Sequence, residues 1–283
     1  MKQGVAVWFC AMLACTVLPA SAANEHPMAE ASMLVTGSLE VNPDGTVHGY
    51  TVDQPDKLPV PVRAVLQKNV PTWTFRLDPA PAAMFATKMS LRVVALPTDG
   101  KNYSITIGGA SFGDNEATRD EYVSYKTRNP PSYPRAAAAA KVSGTVYLLV
   151  HVARDGTVQD VIAEQTNLDQ YGSEREMKFY RDALANAALS AAKMWTFNTP
   201  TKGKDVDASS WLTRVPVRFD VQQGSPEQLH PYGSWYIYIP GPRQQATWVS
   251  DRSLLSEAPD AVPDGGLHSL HAGLQLTKAL GGS

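Results

Sequence analysis

The sequence predicts an α+β protein of two tandem small modules, each an antiparallel sheet in the order hairpin, helix, strand, with one helix packed on a face. Three observations predict it. Asp44-Gly45 and Asp155-Gly156 each stand between runs of alternating apolar residues. Glycine there accepts the positive φ that a tight hairpin turn demands. A helical spacing of apolar residues follows each hairpin, and a further alternating run closes each unit. The landmarks also recur in order. Gly37-Ser38-Leu39, Asp44-Gly45-Thr46-Val47 and Trp73-Thr74-Phe75 are matched by Gly144-Thr145-Val146, Asp155-Gly156-Thr157-Val158 and Trp195-Thr196-Phe197.

The first module is placed at residues 23–113. Pro59 and Pro61 suit the first turn of a short helix, Val62, Leu66 and Val70 form its apolar stripe, and Pro71 stops it. Met89, Leu91, Val93 and Ala95 then alternate with Lys88, Ser90 and Arg92 as a strand. Asp99-Gly100 suggests a turn into a fourth strand over Tyr103 to Ile107. Residues 114–130, charged and then proline-bearing, read as a linker.

The second module spans residues 131–222. Val146, Leu148, Val150 and Val152 share a packed face, and Thr145, Tyr147 and His151 are expected to face water. Tyr180, Leu184, Ala187, Ala191 and Met194 mark the buried stripe of an alanine-rich helix, whose small side chains let its axis lie close to the sheet. This copy is longer between its landmarks, and the extra residues are expected in the polar loop Asn167 to Glu176. In the last strand Thr213, Val215, Val217, Phe219 and Val221 alternate with Arg214, Arg218 and Asp220. Pro216 lies inside it, and proline, which cannot donate to the ladder, predicts an edge. An edge from Trp211 to Val221 is long enough to accept an extended peptide by strand addition. Residues 223–283 read as a Pro/Gly-bearing extension, partly disordered, with one short strand over Trp235 to Ile239.

Lys2, the apolar run Val5 to Leu18, and Pro19-Ala20-Ser21-Ala22 have the form of a cleavable signal peptide over residues 1–22, which predicts a periplasmic product. Two other readings stand beside it. An uncleaved inner-membrane anchor is opposed by the short run and by Pro19, and a lipoprotein modified at Cys15 by a weak lipobox. Cys10 and Cys15 both lie in this segment, so the exported chain has neither a disulfide nor a thiolate metal site. With 25 Lys+Arg against 27 Asp+Glu and no basic block, nucleic acid is excluded as a partner.

Gly109-Ala110-Ser111-Phe112-Gly113 matches the G-x-S-x-G pattern, but a charged stretch follows it instead of a helix. A Gly/Ser-rich loop is the expectation, with a Ser111 hydrolase as a distant alternative. His268 and His271 lack a carboxylate or third histidine to complete a metal site, and His151 reads as a solvated surface histidine. Both Trp-Thr-Phe triplets read as helix-end anchors packed on the sheet. No catalytic residue, cofactor, metal or small-molecule substrate is expected.

Pro131-Ser132-Tyr133-Pro134, Ala136 to Ala140, Gly144-Thr145-Val146, Asp155-Gly156-Thr157-Val158, the helix ending in Trp195-Thr196-Phe197, and Val215-Pro216-Val217-Arg218-Phe219 together resemble the TonB C-terminal domain. The resemblance covers residues about 131–221. It implies a non-catalytic periplasmic protein-binding module in TonB-dependent transmembrane transport. The implied partner is a TonB-dependent outer-membrane receptor or another envelope protein, captured through its extended TonB-box segment. The implied contact residues are Tyr133, Pro134, Trp211, Thr213, Arg214, Val215, Pro216, Val217, Arg218 and Phe219. Unlike an energy-coupling TonB, the sequence has scattered prolines and no long Pro-rich spacer. The alternative is an envelope scaffold protein that forms a homodimer through its sheet edges.

Overall fold

The computed structural model describes residues 29–99, 102–113, 120–222, 230–249, 258–270, 274–277 and 280. The expected signal segment with Cys10 and Cys15, Gly100 and His271 lie outside these. Among the described residues no helix is long and apolar enough to cross a membrane.

The first half runs β1 (Glu30–Val41), β2 (Val47–Val52), α1 (Val60–Asn69), β3 (Phe75–Leu77), β4 (Phe85–Asp99) and β5 (Asn102–Gly113). β1 pairs antiparallel with β2 on one side and with β4 on the other, and β5 lies beyond β4. The second half runs β6 (Ser124–Thr127), α2 (Arg135–Ala139), β7 (Gly144–Ala153), β8 (Val158–Leu168), α3 (Glu174–Ala192), β9 (Thr196–Asn198) and β10 (Ser210–Phe219). Here β7 pairs antiparallel with β8 and with β10. The architecture is α+β, mostly antiparallel sheet.

The two Asp-Gly turns are built alike. Asp44 Oδ1 accepts from Thr46 N at 2.9 Å and Oγ1 at 2.6 Å, and Asp155 Oδ1 accepts from Thr157 N and Oγ1 at the same distances. Each turn then docks on its own Trp-Thr-Phe triplet. Phe75 N donates to Gly45 O, and Phe197 N to Gly156 O, both at 2.8 Å. Glycine is required at both points. The φ values are +84° and +83°, and a Cβ would meet Phe75 O at 2.0 Å or Phe197 O at 2.2 Å. Trp73, Phe75, Trp195 and Phe197 are all buried, as anchors of the helix ends.

Each half has its own core between one helix and one sheet. Val62, Leu66 and Val70 of α1 and its following turn pack with Val35, Leu39, Leu91 and Val93. In the second half Met177, Leu184, Ala188, Ala191 and Ala192 of α3 pack with Val146, Leu148, Val150 and Val215. α3 starts in a capping box, with Ser173 Oγ accepting from Glu176 N and the Glu176 carboxylate accepting from Ser173 N, so two orphan donors are satisfied reciprocally.

The structure corrects several expectations. The extra length of the second half lies in β8, 11 residues against 6 in β2, and in α3, 19 residues against 10 in α1. It is not in a loop, for Asn167 and Leu168 complete β8 and Ser173 to Glu176 open α3. The buried stripe of α3 is rotated from the expected one, with Met177 inside and Met194 66% exposed. The Gly109 to Gly113 stretch is strand β5, not a loop. Ser111 is buried within β5, opposite Ser90 and in line with the strand, not at a sharp strand-to-helix turn, so it lacks the geometry of a nucleophile elbow. Part of the expected linker, Ser124 to Thr127, forms β6 beside β9, and Tyr125 stacks on Phe197 at 5.6 Å.

The C-terminal extension differs most from expectation, since its described residues are threaded through both halves. β11 (Tyr236–Tyr238) pairs with the start of β1, and Ile239 bridges to Leu168 of β8. β12 (His268–Ser269) pairs with β10, and β13 (Leu274–Leu276) with β3. Consequently the second face of β7 is not open to water. Leu149 is fully buried against Ala246, Val249 and Leu270, and His151 stacks face to face on Trp248 at 5.1 Å. The proline-poor strand periods that mark β7 or β10 are missing from this extension, yet short pairings suffice because both sheets supply the template.

Candidate functional site

The site that sequence reasoning points to is the side of β10 facing away from β7. Leu270 N donates to Leu212 O at 2.9 Å, so the backbone of Leu212 points to that outer side. Successive residues in a strand alternate, hence Arg214, Pro216 and Arg218 also point outward, while Thr213, Val215 and Val217 bond β7. Pro216 thus sits where its missing N–H interrupts no bond to β7, which is why it is tolerated inside the strand.

The edge is nevertheless not free along its length, which corrects the expectation of an open strand. β12 lies beside it with Thr213 opposite Ser269 and Arg214 opposite His268, and Thr213 Oγ1 donates to His268 O at 3.0 Å. Next along, the Arg128 guanidinium reaches Pro216 O at 3.5 Å and Gly265 O at 3.4 Å, lying over the rings of Tyr125 and Trp195 at 4.8 and 5.5 Å. Beyond Arg214, no strand among the described residues pairs with the outer side of β10.

The side chains expected to meet a partner are mostly engaged within the chain. Trp211, Val215, Val217 and Phe219 face α3 in the core. Tyr133 packs edge-on against Phe219 and donates to Val142 O at 2.6 Å, and Pro134 opens α2. Arg214 is 0% exposed and makes a two-bonded ion pair with Glu164, Nε to Oε2 at 2.8 Å and Nη2 to Oε1 at 3.0 Å. Arg218 binds Asp169, Asp220 at 2.8 Å and Tyr236 Oη at 2.7 Å. Burial alone would lower its pKa, but the hydrogen bond and charge of Asp169 outweigh that and raise it. Asp220 is pulled down by Arg218 against the opposing effect of burial. Arg218 therefore ties the sheet to Tyr236 of the C-terminal extension, Arg214 is held by Glu164 of β8, and what β10 offers a partner is backbone.

The same slot in the first half is filled differently. β4 corresponds to β10 in sheet order, and its far side is taken by the 12-residue β5, joined to it in sequence and paired from Lys88 to Asp99. At β10 the slot holds two paired residues from a distant part of the chain. Sequence reasoning missed Arg128 and the segment His268 to Leu270. A two-residue strand carries no period, and no signal in the sequence marks it.

Other chemistry is sparse among the described residues. No group of three or more His, Cys, Asp or Glu is placed to hold a metal ion. A cavity of about 390 Å³ lies between the two sheets, walled by Leu34, Thr145, Tyr147, Tyr236 and Asp264, and burial raises the pKa of the Asp264 carboxyl.

No family model and no solved structure matches the chain. Over 97 residues, 34% of this chain, it is 38% identical to Protein TonB of two strains of Xanthomonas campestris pv. campestris, B100 and ATCC 33913, covering 37% of each. Over 92 residues, 32% of this chain, it is 33% identical to Protein tonB2 of Pseudomonas aeruginosa strain PAO1, covering 29% of it. The chain thus spans about a third of the length of the curated relatives it matches. With the ordered motifs of residues about 131–221, these relatives identify that segment as TonB C-terminal-domain-like.

Proposed function

We propose that the outer side of β10, from Leu212 to Arg218, accepts an extended segment of a partner protein as an added strand, in TonB-dependent transport across the outer membrane. The partner is the TonB box of an outer-membrane receptor, and binding is non-catalytic and takes place in the periplasm. The observation that carries this reading is the weak tenancy of the slot. A strand of 10 residues has only two of them strand-paired on its outer side among the described residues. Main-chain hydrogen bonds give affinity in such an addition, and pockets for alternate side chains give preference. The resemblance to TonB proteins supports the choice of partner.

On the same reading residues 23–113 and 131–222 are two copies of one module. The matched turns on Phe75 and Phe197 support this. Residues 1–22 are a leader removed on export. Only the second copy then keeps an acceptor edge, since β5 closes the first.

Titration of the full chain with a synthetic TonB-box peptide tests the proposal. Saturable binding supports it, and no binding at millimolar peptide overturns it. One observation favours self-association as a second reading. β5 is 12 residues long and contains neither a charged residue nor a proline, the usual means of blunting an edge. Sedimentation at varied protein concentration tests that reading, because pairing through β5 gives a concentration-dependent dimer and strand addition at β10 does not.

A further inference from the structure

We infer that β12 is an internal occupant of the strand-acceptor edge, so that a foreign strand binds β10 only by displacing the chain's own residues His268 to Leu270. The inference rests on the reading of β10 as an acceptor edge and concerns how that edge is regulated.

The geometry of the contact is that of an added strand, not of a loop lying nearby. Thr213 faces Ser269 and Arg214 faces His268 in antiparallel register. Leu270 N donates to Leu212 O, and His268 O accepts from Thr213 Oγ1. The segment therefore uses the same outward-pointing backbone groups that a foreign strand requires, and the two cannot share them. Occupancy is also short. In the first half the equivalent slot is filled by a hairpin partner paired over its length, which a diffusing peptide cannot compete away. Two residues returning from a distant part of the chain form a much smaller ladder.

The flanks of β12 explain how it is held. Leu270 packs with Leu149, Ala246 and Val249, and Gly265 O is held by Arg128, whose other nitrogen reaches Pro216 O. Arg128 and Leu270 thus clasp the segment at its two ends, one on each side of the paired residues. Displacement lets Leu270 leave its apolar contacts and frees Leu212 O, and the incoming strand replaces the lost backbone bonds. A partner whose binding repays that exchange is selected over one that merely fits the groove. An edge whose competent form is only fractionally populated binds with affinity reduced by that fraction.

A cross-link tests this in the full chain. Thr213 and Ser269 face each other as a non-hydrogen-bonded antiparallel pair, the arrangement in which Cα atoms stand about 4.5 Å apart and a disulfide fits. The variant Thr213→Cys with Ser269→Cys, made with Cys10 and Cys15 replaced by serine, is titrated with a TonB-box peptide oxidised and then reduced. A second variant, Leu270→Pro, removes the N–H that bonds Leu212 O, and circular dichroism confirms that it folds. A synthetic peptide of residues 264–270 serves as a second probe. The expected result is that the oxidised chain binds either peptide at least about tenfold more weakly than the reduced chain, and Leu270→Pro at least about tenfold more tightly than the unaltered chain. Equal binding of the TonB-box peptide by all forms overturns the inference and leaves the transport reading standing. Binding of the 264–270 peptide alone, lost on oxidation, upholds the inference and overturns the choice of a TonB box as ligand. Binding of neither peptide by any form overturns both.

Discussion

Arg214 and Glu164 form a buried, two-bonded ion pair on the face of the second sheet that the C-terminal extension covers. Neither group has solvent to fall back on if its partner is lost. Glu164→Gln removes the carboxylate charge that faces the buried guanidinium and is expected to cost about 3 kcal/mol of stability. Replacing both, Arg214→Met with Glu164→Leu, is expected to recover most of that loss. Urea unfolding of Arg214→Met, of Glu164→Leu and of the double variant measures it, and an additive double variant contradicts the coupling.

Gly156→Ala and Gly45→Ala are expected to have matching effects, because both turns press their glycine onto a phenylalanine carbonyl. Each substitution combines a left-handed backbone with a Cβ inside contact distance, and a loss of at least about 2 kcal/mol is expected. Thermal unfolding of each variant checks this. A neutral Gly45→Ala shows that the first turn is not held as the second is.

Ser173→Ala removes the side chain that accepts from Glu176 N at the start of α3. A loss of about 1 kcal/mol is expected. Hydrogen exchange of the first turn of α3 rises with it, while that of β10 stays unchanged.

The extension is expected to loosen in acid. Burial lowers the pKa of His151 beneath Trp248 and of His230 beside Tyr236, and Arg218 lowers the latter further. In both cases the folded-state value lies below the unfolded one, so the unfolded chain takes up the proton first. The stability they contribute is present above about pH 6.5 and is lost as pH falls through the folded-state values. Tryptophan fluorescence of Trp248 followed between pH 7.5 and 5 reports the change, and His151→Gln flattens part of it.

Much of the fold was legible because its signals are local. Asp-Gly turns flanked by alternating residues specify β1 with β2 and β7 with β8, and the spacing of Val62, Leu66 and Val70 specifies α1. Legibility ends where the cause is distant in sequence. Alternation places Arg214 and His151 on the second face of the sheet, but it carries no sign that Ala246, Trp248, Val249 and Leu270 return to cover that face. The edge character implied by Pro216 is correct for the outward direction of its backbone. It is incomplete because His268 and Ser269, too few to show a strand period, lie beside Thr213 and Arg214. Arg128 falls in the expected linker, and its ties to Pro216 O and Gly265 O join residues far apart in sequence, which no local pattern marks.

The most direct measurement is backbone amide NMR of the full chain during titration with a TonB-box peptide. Shifts concentrated at Leu212, Arg214 and Arg218, with loss of the Leu270 to Leu212 hydrogen bond, are the predicted result. Saturable shifts confined to α3 and β8, with Leu212 and Leu270 unmoved, contradict the assignment of the acceptor edge to β10.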